Sequence, residues 1–214
     1  MKKIMFNDRF GLTEAVLSGR KTMTRRIIGQ DVELDWNRRG KVHLPIVGYK
    51  HRMLWMDCTK FLPDSGKYDY AAPQKYQSAY DWDEEVAVAQ RYSELAKTDD
   101  YYDCDQAKRQ KGWNNKMFVR ADLMLHHIRI TDIKAERLRD ITDEECLKEG
   151  IRQSVVEYGD KKILQWTYFG EKITTWYDSP RDAFAAMIDR ICGKGTWAGN
   201  PWVYAYTFEL LQEY

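Results

Sequence analysis

Eight residues near the start of the chain, Gly19-Arg20-Lys21-Thr22-Met23-Thr24-Arg25-Arg26, concentrate more chemistry than any other stretch. The Thr24 hydroxyl is a nucleophile that needs activation, since a free hydroxyl at neutral pH is nearly inert. Lys21 can supply that activation as a proton acceptor if the neighbouring charges of Arg20 and Arg25 depress its ammonium. Arg26, or the backbone N–H groups that follow Gly19, suits an oxyanion or an anionic ligand. Nucleophile, base and oxyanion holder are the parts that amide hydrolysis requires. The same residues equally make a solvated or RNA-facing basic patch, with Thr24 bonded only to backbone groups. Spacing sets a condition on the catalytic reading: in a regular strand Lys21 and Thr24 face opposite ways, so a turn at 21–24 is required to bring them together.

Several elements have to position this segment. Residues 2–6 read as a short strand. Leu12, Ala15 and Val16 have helical spacing, which predicts a helix over 12–18 ending at Gly19 as its C-terminal cap. Val86 to Ala89 is a short apolar run that fits a buried strand. The alternation from Met117 to Ile133 predicts a long strand, with His126 and His127 on opposite faces and unable to share one metal ion. Thr142-Asp143-Glu144-Glu145 is a capping box and Gly150 the matching stop, so 142–149 reads as a two-turn helix. Ser179-Pro180 opens a second helix with a stripe of Phe184, Met187, Ile188 and Ile191, ending at Gly193. Trp202 to Leu210 reads as a closing strand with Trp202, Tyr204, Tyr206 and Phe208 on one face. Strands with few, short helices between them argue against a doubly wound parallel sheet and for a mixed β-barrel with flanking helices.

Composition narrows the class. The chain has 214 residues and a formal net charge of +1, which argues against strong non-specific nucleic-acid binding. Charge is unevenly spread, because residues 1–52 hold 12 Lys and Arg against 5 Asp and Glu, leaving the rest net acidic. A basic patch on a near-neutral protein is thereby permitted. Cys58, Cys104, Cys146 and Cys192 show no metal-ligand spacing, and free thiols in a reduced, cytoplasmic protein are the expectation. The apolar start of the chain is cut short at Asn7-Asp8-Arg9, too early for a leader, and no apolar run is long enough for a membrane span. Residues 58–84 are dense in Tyr and Asp around a Pro63-Asp64-Ser65-Gly66 turn and read as a loop or insertion. Asp99, Asp100, Asp103 and Asp105 form an acidic cluster without the glycine and glutamate of a calcium loop, which favours a solvated loop.

Taken together, the Gly19–Arg26 segment, the Ile141-Thr142-Asp143-Glu144-Glu145-Cys146-Leu147-Lys148-Glu149-Gly150-Ile151 stretch and the final Pro201-Trp202-Val203-Tyr204 strand resemble the ASCH family of PUA-like β-barrels. The resemblance covers roughly residues 4–26, 117–151 and the last strand. It implies an α+β fold, a PUA-like mixed β-barrel with short flanking helices, as a single domain over 1–214 with a long insertion at about 58–116. Larger members of this kind occur in phage and gut bacteria. Compact bacterial members that hydrolyse N4-acetylcytidine use a Lys and a Thr of this segment and a Glu of the later helix. Carried onto this chain, those positions are Lys21, Thr24 and Glu149, with Arg20, Arg25, Arg26 and Trp202 as ligand- or RNA-binding residues. Glu149 would end a helix whose dipole disfavours a carboxylate, which suits a proton carrier. The implied function is hydrolysis of an N-acylated pyrimidine nucleoside without metal or organic cofactor. The alternatives are an RNA- or nucleotide-binding module using the same cleft, and a metal-dependent ribonuclease whose only support is the acidic cluster. Nucleoside or single-stranded RNA is the expected partner.

Overall fold

The computed structural model describes residues 1–28, 78–97, 104–159, 161–169 and 175–211, and the backbone of four short strands between 53 and 77. It is a mixed α+β structure built on a mostly antiparallel sheet. In chain order the strands are β1 (Lys2–Ile4), β2 (Met23–Ile27), β3 (Met53–Met56), β4 (Thr59–Leu62), β5 (Lys67–Tyr70), β6 (Gln74–Gln77), β7 (Glu85–Val88), β8 (His127–Arg137), β9 (Arg152–Tyr158), β10 (Lys161–Thr167) and β11 (Trp202–Leu210). The three longer helices are α1 (Leu12–Leu17), α2 (Asp143–Lys148) and α3 (Pro180–Cys192).

Five strands form the central sheet in the order β1-β7-β8-β11-β2, with β1–β7 its one parallel pair. The predicted barrel does not close by main-chain pairing among the described residues. The edge strands β1 and β2 are bridged instead by a side chain: Arg26 Nη2 donates to the carbonyl of Met5, just past β1, at 2.7 Å. The centre of the sheet is buried on both faces, as Val203, Ala205 and Tyr206 are fully covered. Continuous burial of this kind hides the strict alternation expected of a half-exposed strand.

Two expectations about the middle of the chain are corrected. The segment 58–116 is not one insertion, because β7 lies inside it and supplies a core strand between β1 and β8. Val86, Ala87 and Val88 are fully buried there. The predicted strand 117–133 begins only at His127 and runs on to Arg137. Residues 116–118 and 121–123 make tight helical turns instead. Their apolar neighbours Val119 and Met124 pack with Ala87, Tyr92 and Leu95 in a satellite core, so their periodicity reports packing and not strand alternation. Of the acidic cluster, Asp99, Asp100 and Asp103 lie outside the described residues, and Asp105 opens a single helical turn. Cys58 also lies outside them.

Helix α2 forms where its capping box demands. Thr142 accepts from the Glu145 N–H, and the Glu145 carboxylate accepts from the Thr142 N–H, each at 3.2 Å. Its end is a glycine stop: Gly150 has φ +105° and the Ile151 N–H returns to the Cys146 carbonyl. Helix α1 ends similarly at Gly19, φ +71°. In α3 the Ser179 hydroxyl caps the Asp182 N–H, Pro180 occupies the first turn, and Ala183, Phe184, Met187 and Ile188 are buried. The β9–β10 hairpin, turning at Gly159 with φ +60°, stands apart from the main sheet.

Gly150 joins α2 to the site described below. A Cβ built there meets Leu12 Cδ2 at 3.4 Å and Lys21 Cδ at 3.8 Å, both ordinary contacts, so the backbone angle alone carries the strain. Gly150→Ala is expected to lose about 1–3 kcal/mol of stability in urea unfolding. A change under about 0.3 kcal/mol would mean the stop is not held at positive φ.

Candidate functional site

The start of β2 docks onto the end of α2. The Lys21 N–H bonds the Ala15 carbonyl of α1 at 2.8 Å, and the Thr22 N–H bonds the Lys148 carbonyl at 3.0 Å. Thr22 in turn accepts from the Phe208 N–H at 2.9 Å. These bonds hold Lys21 and Thr22 in open backbone between α1 and β2, and Met23 and Thr24 already belong to the strand. The turn required at 21–24 is therefore not formed, because the amides that would close it are committed to α1 and α2. Lys21 reaches its partners along the strand edge instead.

Lys21 is 2% exposed and its ammonium is saturated. Its three protons go to the Met23 carbonyl at 2.7 Å, the Glu149 carbonyl at 2.8 Å and the Glu149 carboxylate at 2.6 Å. A cation thus sits on the carboxyl end of α2, where the helix dipole favours it. Burial pulls the Lys21 ammonium below its usual value. Glu149 opposes that shift, while Arg26 and Arg25 add to it. Arg20, expected beside Lys21, instead turns to the surface and bonds Ser18 and Glu14.

Arg25 is a buried hub. Its Nε and Nη2 reach Glu136 at 2.9 and 2.5 Å, Nη2 also reaches Glu145 at 2.5 Å, and Nη1 reaches Glu149 at 3.2 Å and the Met23 sulfur at 3.5 Å. All five donors are used, so Arg25 has none left for RNA or a ligand. Burial disfavours its charge, yet Glu149, Glu136 and Glu145 hold the guanidinium above its ordinary range. Lys134 completes the array, bonding Glu145 at 2.5 Å and Glu136 at 3.1 Å. Three cations and three carboxylates therefore alternate in one neutral network.

Thr24 and Arg26 occupy the other face of β2. Thr24 pairs with Tyr206 and Arg26 with Tyr204 in the β11 register, whereas Arg25 pairs with Ala205. Successive residues of a strand point oppositely, so Thr24 and Arg26 share a face with Tyr204 and Tyr206, away from the Arg25 hub. Thr24 is 5% exposed. No hydrogen bond joins its hydroxyl to Lys21, whose protons are engaged elsewhere. The Phe6 ring lies 5.9 Å from Lys21 Nζ and 5.8 Å from Arg26 Cζ, so one aromatic side chain borders both cations. Trp202 lies farther along β11 with the Arg137 guanidinium 4.5 Å over its ring, which occupies one stacking face.

The structure thus brings Lys21 and Glu149 into contact and sets Thr24 one residue beyond the Met23 carbonyl that Lys21 grips. It encloses Arg25 among three carboxylates and turns Arg20 to the surface. Sequence reasoning missed Glu136, Glu145, Lys134 and Phe6. A signal for Glu145 was present: it lies four residues before Glu149, and two like charges at that spacing repel unless a cation joins them. Among the described residues no group of three or more His, Cys, Asp or Glu is arranged to hold a metal ion. Among them, too, no helix is long and apolar enough to cross a membrane. Comparison with protein-family models, curated proteins and solved structures gives no match.

The network makes two testable demands. Glu149→Gln leaves Lys21 buried without its countercharge and should cost about 3–5 kcal/mol in urea unfolding. A loss below about 1 kcal/mol would mean the pair is solvated. The second concerns acid. Burial acts to raise the Glu145 carboxyl, but the Lys134 hydrogen bond, the Thr142 N–H and Arg25 hold it below its ordinary 4.5. A carboxyl depressed in the folded state contributes stability above the unfolded value and loses it as pH falls through the folded one. Stability of the parent protein should therefore fall with pH below about 4.5 more steeply than that of Glu145→Gln, measured by unfolding at a series of pH values. Equal slopes would contradict this.

Proposed function

We propose that this protein is an amidohydrolase of PUA-like ASCH type that removes the acyl group from an N-acylated pyrimidine nucleoside. One observation carries the reading: a buried amine and a buried carboxylate, 128 residues apart in sequence, meet at 2.6 Å beside the strand that bears Thr24. An ion pair desolvated to this extent is expensive, and the proton between its members has a short path.

Chemistry follows from moving that proton. Transfer from Lys21 to Glu149 leaves a neutral amine and a carboxylic acid. Thr24 Oγ attacks the acyl carbon while its proton passes to the Lys21 amine. Glu149 then delivers its proton to the departing amine nitrogen as the C–N bond breaks. This leaves an acyl ester on Thr24 and the original ion pair. Water hydrolyses the ester: its proton goes to Glu149, its oxygen joins the acyl carbon, and Lys21 reprotonates the Thr24 oxygen. The return of the Glu149 proton to Lys21 closes the cycle.

An RNA-binding module without turnover is the second reading, favoured specifically by the Arg26 guanidinium, which makes one hydrogen bond and no ion pair among the described residues.

Incubation with N4-acetylcytidine, followed by the absorbance change as cytidine forms, separates the two. The parent protein should turn over, and Thr24→Val should lower kcat by roughly 10²–10⁴-fold with the melting temperature little changed. Thr24 lies outside the charge network, so this variant isolates chemistry from stability. Absence of turnover at high enzyme concentration by folded protein removes this substrate. Undiminished turnover by Thr24→Val removes Thr24 as nucleophile. Salt-sensitive binding of single-stranded RNA without turnover would favour the module.

A further inference from the structure

Arg25 and Arg26 are adjacent in sequence and opposite in circumstance. Arg25 uses all five donors on four partners. Arg26 makes a single hydrogen bond, to the Met5 carbonyl, and forms no ion pair among the described residues. Its Nε is buried without an acceptor. Leaving a buried donor unmet is costly, most of all on a charged group, so a native structure retains one only with cause.

Among the described residues no carboxylate pairs with Arg26. The charged groups next to it on β2 and α2 belong to the Lys21–Arg25–Lys134 and Glu136–Glu145–Glu149 network, which balances internally. The side chains that feel Arg26 from the other elements are Lys21, Tyr80, Tyr206 and Cys192. Burial raises both phenols and the thiol, so they stay neutral near pH 7. Phe6 and Tyr204 complete the surroundings with uncharged rings. Among the described residues the face that carries Thr24 therefore holds one positive charge without a paired carboxylate, on a half-buried arginine that gives only Nη2 to a protein acceptor. A guanidinium with N–H groups to spare suits the oxygens of a phosphate.

We propose that Arg26 anchors a phosphate on the ligand of this site, so that the substrate class is a nucleoside monophosphate and not a neutral nucleoside. This deepens the hydrolase reading and rests on it for the nucleoside part. The anion preference itself stands on Arg26 alone.

The test measures binding by calorimetry with cytidine 5′-monophosphate, cytidine, inorganic phosphate and a short single-stranded oligonucleotide containing internal cytidine. Parallel turnover measurements use N4-acetylcytidine and its 5′-monophosphate. The monophosphate should bind about tenfold or more tighter than cytidine. Arg26→Met should erase that advantage, and Arg26→Lys should keep part of it. Added salt should weaken the monophosphate and leave cytidine unaffected. Equal affinity for monophosphate and cytidine overturns the proposal, as does an advantage that survives in Arg26→Met. Tighter binding of the oligonucleotide than of the monophosphate overturns the free-nucleotide source and assigns the anion to an RNA backbone. If Arg26→Met fails to fold, Arg26→Lys and the salt dependence of the parent protein still decide. A monophosphate preference without turnover would sink the hydrolase reading and keep this one; turnover of both substrates with equal KM would do the reverse.

Discussion

The burial of the Lys21 ammonium against Glu149 is the constraint that organises this molecule. A lysine amine out of water is tolerable only if every proton finds an acceptor and a countercharge lies close. Three separate pieces of structure have to meet for that: the free edge of β2 through the Met23 carbonyl, the terminal carbonyl of α2, and the Glu149 side chain. Glu149 is shared with Arg25, and Arg25 with Glu136 and Glu145. Strand β2, strand β8 and helix α2 are consequently tied by charges as well as by packing.

The same arrangement resolves two local conflicts. Glu145 and Glu149 stand on one side of a short helix, where like charges repel, and Glu149 also faces the negative end of the helix dipole. Arg25 relieves the first and Lys21 the second. A stop at Gly150 makes the docking possible, because a residue with positive φ turns the chain back while the last carbonyls stay open to Lys21 and Thr22. An arrangement this saturated fixes each of its groups against several partners. It also means that no proton of Lys21 is spare in the resting state. Any chemistry has to begin by moving the proton it shares with Glu149.

Much of the framework was legible in local signals. The capping box at Thr142, the Pro180 start of α3, the glycine stops at Gly19 and Gly150 and the Trp202–Leu210 strand are short-range features, set by which backbone groups a side chain can satisfy. The β9–β10 hairpin was missed although Gly159 sits between two strand-like runs. The extent of β8 was misjudged because the apolar residues before His127 pack against the Tyr92 satellite core. The buried strand at Val86–Ala89 was legible as a short apolar run, but its place between β1 and β8 was not, because strand pairing across a long stretch of chain leaves no local period.

For the site itself, the residue types and spacing of Gly19–Arg26 determined that an amine, a hydroxyl and several guanidinium groups would lie close together. The family-like helix at 142–149 brought forward Glu149. What only the tertiary structure decided is how each cation is engaged. Arg20, Arg25 and Arg26 are alike as letters, yet one lies on the surface, one is enclosed by three carboxylates, and one makes a single hydrogen bond among the described residues. That sorting depends on strand parity and on carboxylates more than a hundred residues away. Long-range electrostatics of this kind leaves no mark within a local stretch of sequence, because the countercharges arrive only when the chain folds.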